Sequence, residues 1–380
     1  MVFHIPPSAY DWLIPDVLDI RVIDEMALAG TFPTLLSLYP SVIFAILFGI
    51  IRSILQVVLF KPVAVYCMKL TFSEQKPLKA IDVVVKAMKG VKHKVPDEVS
   101  TSLAKQTGLS ELEVKRYIWN RNRDEVNRRK VVKFGEAMWR SMFYCSFCVL
   151  GFITLCRPTY MPWLLDTSEN FNNWPHHPIS TLMNFYYQIE LGCYIHQLHW
   201  TEVNRSDALE MILHHVITIA LILGSYLINF TRVGTSILLC HDFADIFLEI
   251  GKCFNYTSKT PDFKSIASPV TDFLFVCFSV SFLITRLVIY PRFLLYSVVI
   301  ESPHILGMWS GYWYFAILLC SLQVLHVFWF YLILKMAYRI MIVGEVEKDV
   351  RSEDDELPEE EKETSNVDKK NDKKENKKKR

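Results

Sequence analysis

The sequence has no surplus of charge of either sign, no even set of cysteines and no short secretory-type leader. Its 41 Lys and Arg stand against 40 Asp and Glu, a net of +1 over 380 residues. Charge therefore informs only through where it sits, and it is segregated along the chain. The nine cysteines are odd in number. Cys145, Cys148, Cys193, Cys240, Cys277 and Cys320 lie in apolar stretches, which favours reduced, buried thiols over a disulfide framework. Cys145-Ser-Phe-Cys148 matches CxxC, but no second pair lies nearby, and coincidence on a membrane helix explains it better. The N-terminus has neither a basic region nor a short apolar run with a small-residue cleavage site. No cleaved signal peptide is expected, and the first long apolar segment should act as an uncleaved signal anchor.

What the chain has is apolar sequence. Its composition is 51% hydrophobic and 13% aromatic, with a mean hydropathy of +0.21. Long apolar runs predict an all-α, polytopic membrane protein, because helices satisfy their own backbone groups in lipid. Runs at 39–60, 137–156, 180–199, 208–229, 234–251, 266–290 and 306–338 predict about seven transmembrane helices. The loops at 61–136 and 252–265 are rich in Lys and Arg, whereas 157–179 holds one Arg, several prolines and acids. The positive-inside rule then makes the N-terminus lumenal and the C-terminus cytosolic. On that topology Asn204 and Asn255 sit in the cytosol and Asn229 hugs the membrane, so none of the three sequons is a good glycosylation site.

In order, residues 1–38 read as a lumenal segment and 39–62 as the first transmembrane helix. Arg52 within it must snorkel or pair with another helix. Residues 66–128 are soluble in character. A helix over LKAIDVVVKAMKG ends at Gly90, a second opens at Pro96 and stops at Gly108, and Ser110 with Glu113 forms a capping box for a third. Helix, turn and basic helix is the pattern of a helix-turn-helix module. Trp119, Asn120, Arg121 and Arg123 suit a recognition helix. The basic run Arg128, Arg129, Lys130 and Lys133 leads straight into the next span, however, and such runs mark the cytosolic face and anionic lipid. DNA binding is discounted on that ground. Residues 342–380 run acidic and then basic and read as a disordered cytosolic tail. Ser352 before four acids suits an acid-directed kinase, and Lys377 with Lys378 suits an endoplasmic reticulum retrieval signal. His326 in the last span is assigned to the core.

The stretch around which the rest is organised is 207–256, two apolar segments joined by a polar turn placed at Asn229 to Gly234. The first carries His214 and His215; the second carries His241, Asp242, Asp245 and Glu249. Ionisable groups at that depth cost roughly 2.5–3.5 kcal/mol each, so anchoring alone does not explain them. Asp207, Met211, His214 and Thr218 share one helical face, as do His241, Asp242, Asp245 and Glu249. Two polar faces in one apolar hairpin are satisfied by facing each other. With the turn centred near Thr231, His214 comes level with about position 248, and Asp245 lies at a similar depth.

The same stretch, NRSDALEMILHHVIT followed by RVGTSILLCHDFADIFLEIGKCFNY, resembles the Lag motif of the ceramide synthase family. The resemblance covers residues 39 to about 340: first span, a homeobox-like insert over 66–128, and a TLC catalytic domain over 131–341. It implies acyl transfer from a fatty acyl-CoA to the amine of a sphingoid base in the endoplasmic reticulum membrane, with acyl-CoA as co-substrate and no cofactor or metal. It implies His214, His215, His241, Asp242 and Asp245 as the catalytic set, with His214 carrying the acyl group as an acyl-imidazole. It also leaves room for membrane lipid partners and for a homo- or heterodimer with related synthases. Neutral imidazole suits this chemistry near pH 7, and a carboxylate such as Asp245 would fix its tautomer. Lys252 and its basic neighbours would meet the CoA phosphates on the cytosolic side. A lumenal loop at about 296–308 would take part in reading acyl chain length. One departure is that Tyr117-Ile118-Trp119 replaces the family's usual Trp-Phe pair in the insert, which further weakens DNA binding.

Two further readings compete with this one. A membrane metal oxygenase needs about eight clustered histidines; His196-Gln-Leu-His199 and His214-His215 leave too few, and the HxxHH box is absent. A non-catalytic lipid sensor or transporter would use intramembrane acids and histidines as a path, but the intact His–His and HDxxD set argues against it.

Overall fold

The computed structural model describes residues 35–73, 97–155, 166–177, 179–199, 207–309 and 311–343. The expected helix at 78–90, most of the lumenal segment, Ser352, the dilysine and nearly all of the tail lie outside them. The described residues form eight helices: α1 (Leu36–Cys67), α2 (Asp97–Thr107), α3 (Glu111–Leu155), α4 (Thr181–His199), α5 (Ala208–Leu227), α6 (Thr231–Ser258), α7 (Pro261–Leu306) and α8 (Tyr312–Val343). The described residues divide into two compact units, one within 60–135 and the other within 35–59 and 136–343.

In the smaller unit the Ser110 capping box forms as expected. The Ser110 backbone N–H and hydroxyl both donate to Glu113 Oε2 (2.9 and 2.8 Å), and the Glu113 N–H donates back to Ser110 Oγ. Gly108 ends α2 at φ +71°, a left-handed position glycine adopts without strain. Leu103, Val114, Tyr117 and Ile118 form its small core. Asp124 accepts from the Ser73 N–H and hydroxyl, and Asn127 donates to the Thr71 carbonyl. The basic helix does not stop near 130: α3 is one continuous helix of 45 residues. The expected division at 128–131 therefore falls inside a helix, which also runs on through Gly135.

The larger unit is a helical bundle. Five helices, α1, α3, α5, α7 and α8, are long and apolar enough to cross a membrane. α4 and α6 stand where two more crossings were expected, but they fall short of that criterion. α4 carries Asn184, Gln188, Glu190 and His196, and α6 carries Arg232, His241, Asp242, Asp245, Glu249 and Lys252. α1 turns Ile43, Ile46, Ile50, Ile54 and Val57 outward and packs mainly on α4. A Cβ at Gly192 would lie 2.6 Å from the Ser41 carbonyl, so the two backbones meet through a missing side chain, the usual device for helix packing in lipid. Arg52 finds a partner on α3, Glu136 at 3.5 Å.

The central turn differs from expectation. α6 begins at Thr231, not at 234, and the turn is Ile228 to Phe230. Gly234 lies inside the helix, where its missing side chain admits the Tyr187 hydroxyl of α4. Asn229 takes the left-handed conformation that Asn tolerates (φ 57°). Its amide donates to the Pro175 and His177 carbonyls at 2.7 Å each. Trp174 Nε1 donates to the Ile228 carbonyl, Arg232 to the Glu169 carbonyl, and Thr167 to Glu301. The α3–α4, α5–α6 and α7–α8 connections thus meet at one end of the bundle. The segment expected as a loop at 296–308 is helical through Leu306. α7 passes Pro291 in a π-helical stretch, Leu283–Leu295, a local widening that often marks functional sites.

Candidate active site

His214 and His215 stand adjacent on α5, one step of about 100° apart, so they address different neighbours. The His214 ring lies nearly parallel to His241 (centroids 6.1 Å, 25° between planes) and edge-on to Trp329 of α8 at 5.3 Å. His215 is set against Tyr194 of α4 at 5.8 Å and against His214 at 5.6 Å. Both histidines are buried, and each has an Nδ1 without a hydrogen-bond partner. The paired histidines and the HDxxD histidine are thus brought together. The ring that meets His214 from α6 is His241.

His241 is held on three sides. Its Nδ1 lies 2.7 Å from the Ile237 carbonyl, its Nε2 lies 2.9 Å from Nε2 of His326, and its own carbonyl accepts from Arg286 at 2.6 Å. Arg286 also donates to Asp245 at 2.8 Å. Asp245, expected to orient His214, is therefore engaged by an arginine of α7. Asp242 is fully buried, and its carboxyl faces that of Glu190 from α4. Tyr290, four residues beyond Arg286, packs edge-on against both His241 (5.5 Å) and His326 (4.9 Å). Its hydroxyl donates to the Leu319 carbonyl.

A cavity opens from this cluster. Its wall includes His241, Thr218, Leu221, Ser225, Phe230 and Phe315. His241 to Phe230 is 11 residues of helix, about 16 Å at the usual rise, and nearly all of the lining is apolar. On the other side of the cluster a chain of ion pairs links three helices: Arg52 to Glu136, Glu136 to Arg140 at 3.7 Å, Arg140 to Glu249 at 3.7 Å, and Glu249 to Lys252 at 2.7 Å. Charges at membrane depth are satisfied by such pairing. Among the described residues, no group of three or more His, Cys, Asp or Glu side chains is placed to hold a metal.

The sequence reading missed four side chains here. Arg286 and Glu190 are ionisable groups inside apolar runs, the same signal that singled out the hairpin. His326 was assigned to the core; it is fully buried, yet it is hydrogen-bonded to His241. Tyr290 gave no signal beyond its place in an apolar span.

A histidine–carboxylate cluster inside an α-helical membrane bundle defines a class, and comparison with known proteins agrees. The family model of the TLC domain matches residues 133–335, just over half of the chain. The chain is similar to human ceramide synthase 3, 32% identical over 349 residues, which is 90% of this chain and 86% of that protein. It is 39% identical over 247 residues to human ceramide synthase 5, covering 64% of this chain and 60% of that protein. With the Arabidopsis thaliana ceramide synthase LOH2 it shares 35% identity over 242 residues, 60% of this chain and 77% of that protein. The matched region thus spans about three-fifths of the length of several relatives, ceramide synthase 5 among them. The chain belongs to the ceramide synthase family of TLC-domain proteins.

Proposed function

We propose that this protein is a ceramide synthase, transferring a fatty acyl group from acyl-CoA to the amine of a sphingoid base to form ceramide or dihydroceramide. The observation that carries the reading is the buried pairing of His214 with His241, which lines an apolar cavity. A thioester needs a nucleophile, and a lipid chain needs an apolar channel beside it. His214 takes the acyl group as an acyl-imidazole, which the amine then discharges. His215, His241, Asp242 and Asp245 complete the catalytic set. The parallel ring of His241 fixes the face of His214, and Asp245 acts through Arg286.

The cavity between His241 and Phe230 accommodates the acyl chain, and Phe230 is backed by Trp174 and Trp309. The CoA head remains on the opposite side, near Lys252. On this reading all seven long helices of the larger unit cross the endoplasmic reticulum membrane. The N-terminus is lumenal, and residues 66–128 form a cytosolic homeobox-like module. The buried polar faces of α4 and α6 are tolerated because they point into the bundle.

The test is intact-protein mass spectrometry of the purified full-length protein with long-chain acyl-CoA, beside His214→Ala. An added acyl mass, absent in the variant and discharged by sphinganine with ceramide appearing, is the expected result. Ceramide without an adduct would replace the acyl-imidazole by direct amine attack. Neither product from folded protein would overturn the acyl-transfer reading.

A further inference from the structure

His326 lies deep in α8, 85 residues beyond His241, and no pattern in the sequence links the two. It is completely buried, and its Nε2 meets the Nε2 of His241 at 2.9 Å. The chemistry of the other nitrogen fixes the direction of that bond. A carbonyl oxygen only accepts, so His241 Nδ1 donates its proton to Ile237. In a neutral ring the remaining nitrogen, Nε2, is then a bare acceptor. His326 Nε2 must be the donor, and its own Nδ1 is left buried and unpartnered. Both nitrogens of His241 are therefore occupied, while the His241 ring face lies along His214.

We infer that His326 is a positioning residue for acyl transfer: by capping Nε2 of His241 it holds that ring parallel to His214 and keeps it out of proton exchange, leaving His214 as the reactive imidazole. The inference rests on the acyl-transfer reading of the site. The surroundings agree with a positioning role. Arg286 grips the His241 carbonyl, and Tyr290 fixes both rings edge-on with its hydroxyl tied to Leu319. Phe282 closes the far side of His326. The ionisable groups that face the pair are His214 from α5, Cys240 and Asp245 from α6, and Arg286 and Tyr290 from α7. Cys240 is spoken for by the Thr285 carbonyl, and Asp245 by Arg286. Only the bond from His326 keeps His241 Nε2 from being an open lone pair within reach of the reacting centre.

The experiment compares His326→Gln and His326→Leu in the purified full-length protein, with acyl-CoA and sphinganine, over pH 6 to 9 and beside thermal unfolding. A glutamine amide supplies an N–H donor without titrating; leucine supplies none. The expected result is a kcat lowered on the order of 100-fold in His326→Leu, the scale of a small misplacement of reacting groups. KM for acyl-CoA should stay within about twofold. His326→Gln should recover most of the rate. The leucine variant should also gain an acid limb in its pH profile, because a freed imidazole nitrogen titrates beside His214. A glutamine variant as damaged as the leucine variant, with both folded, would overturn positioning by a donor. So would a leucine variant with wild-type kcat and profile. Wild-type protein that forms no amide overturns instead the acyl-transfer reading, and this inference with it.

Discussion

Arg286 ties Asp245 to the backbone of His241: one guanidinium nitrogen donates to the Asp245 carboxylate at 2.8 Å and to the His241 carbonyl at 2.6 Å. Arg286 is 3% exposed, whereas the Asp245 side chain keeps 22% of its surface. Removing the guanidinium leaves a half-buried carboxylate without its cation, which costs less than the loss of one partner from a fully buried pair. Arg286→Met should lower the thermal midpoint in detergent and nearly abolish transfer. Arg286→Lys should keep part of both. A methionine variant with an unchanged midpoint would show that the bond contributes nothing.

His214→Ala should eliminate turnover while leaving the protein folded, since the ring's Nδ1 has no hydrogen bond to lose. Product formation by mass spectrometry, together with calorimetry, checks both halves. Wild-type turnover would remove His214 from the nucleophile's role.

Gly234 admits the Tyr187 hydroxyl to a point where a Cβ would stand. Gly234→Ala should destabilise by about 1–3 kcal/mol, the usual cost of overpacking. Adding Tyr187→Phe should recover part of the loss. Additive losses in the double variant would mean that the two residues do not meet.

Lys252 donates to Glu249 at 2.7 Å and ends the ion-pair chain from Arg52. If it also meets CoA phosphates, Lys252→Ala raises KM for acyl-CoA severalfold with kcat little changed. Unchanged apparent affinity would confine Lys252 to the ion-pair chain.

His177 lies in the connection before α4, and burial, reinforced by Arg232, lowers its pKa to about 4. Folding therefore keeps it neutral where the unfolded chain would protonate it. The sign is fixed: stability contributed by neutral His177 is whole above about pH 6.5 and declines as pH falls toward 4. The fluorescence of Trp174 and Trp309, which pack at that end, should report loosening over this window. His177→Phe should flatten the response; an identical response in the variant would rule His177 out as its source.

The class of fold and the hairpin were legible because membrane helices write themselves as apolar runs and because charge within such runs is expensive. The capping box of Ser110 and Glu113 was legible for a local reason: both partners lie within one turn. The register of the hairpin was not, because Gly234 read as a turn residue when its real task is to admit Tyr187 from another helix. The long reach of α3 was hidden by a change of composition that is not a change of conformation. His326 and Arg286 reach His241 across 85 and 45 residues of chain, and a single sequence carries no term for such distances. Arg52 was visible as an anomaly, but its partner Glu136 was not.

The cluster around His241 draws on α5, α6, α7 and α8, and this orders events during synthesis. When both helices of the motif have left the ribosome, His241 still lacks Arg286, Tyr290 and His326. A chain stopped before Tyr312 would hold the whole recognisable motif in lipid with the His241 Nε2 unmet and the wall of the cavity supplied by Phe315 missing. On the acyl-transfer reading, a chain that stops before its last helix would lack His326 and Phe315 and with them a completed site.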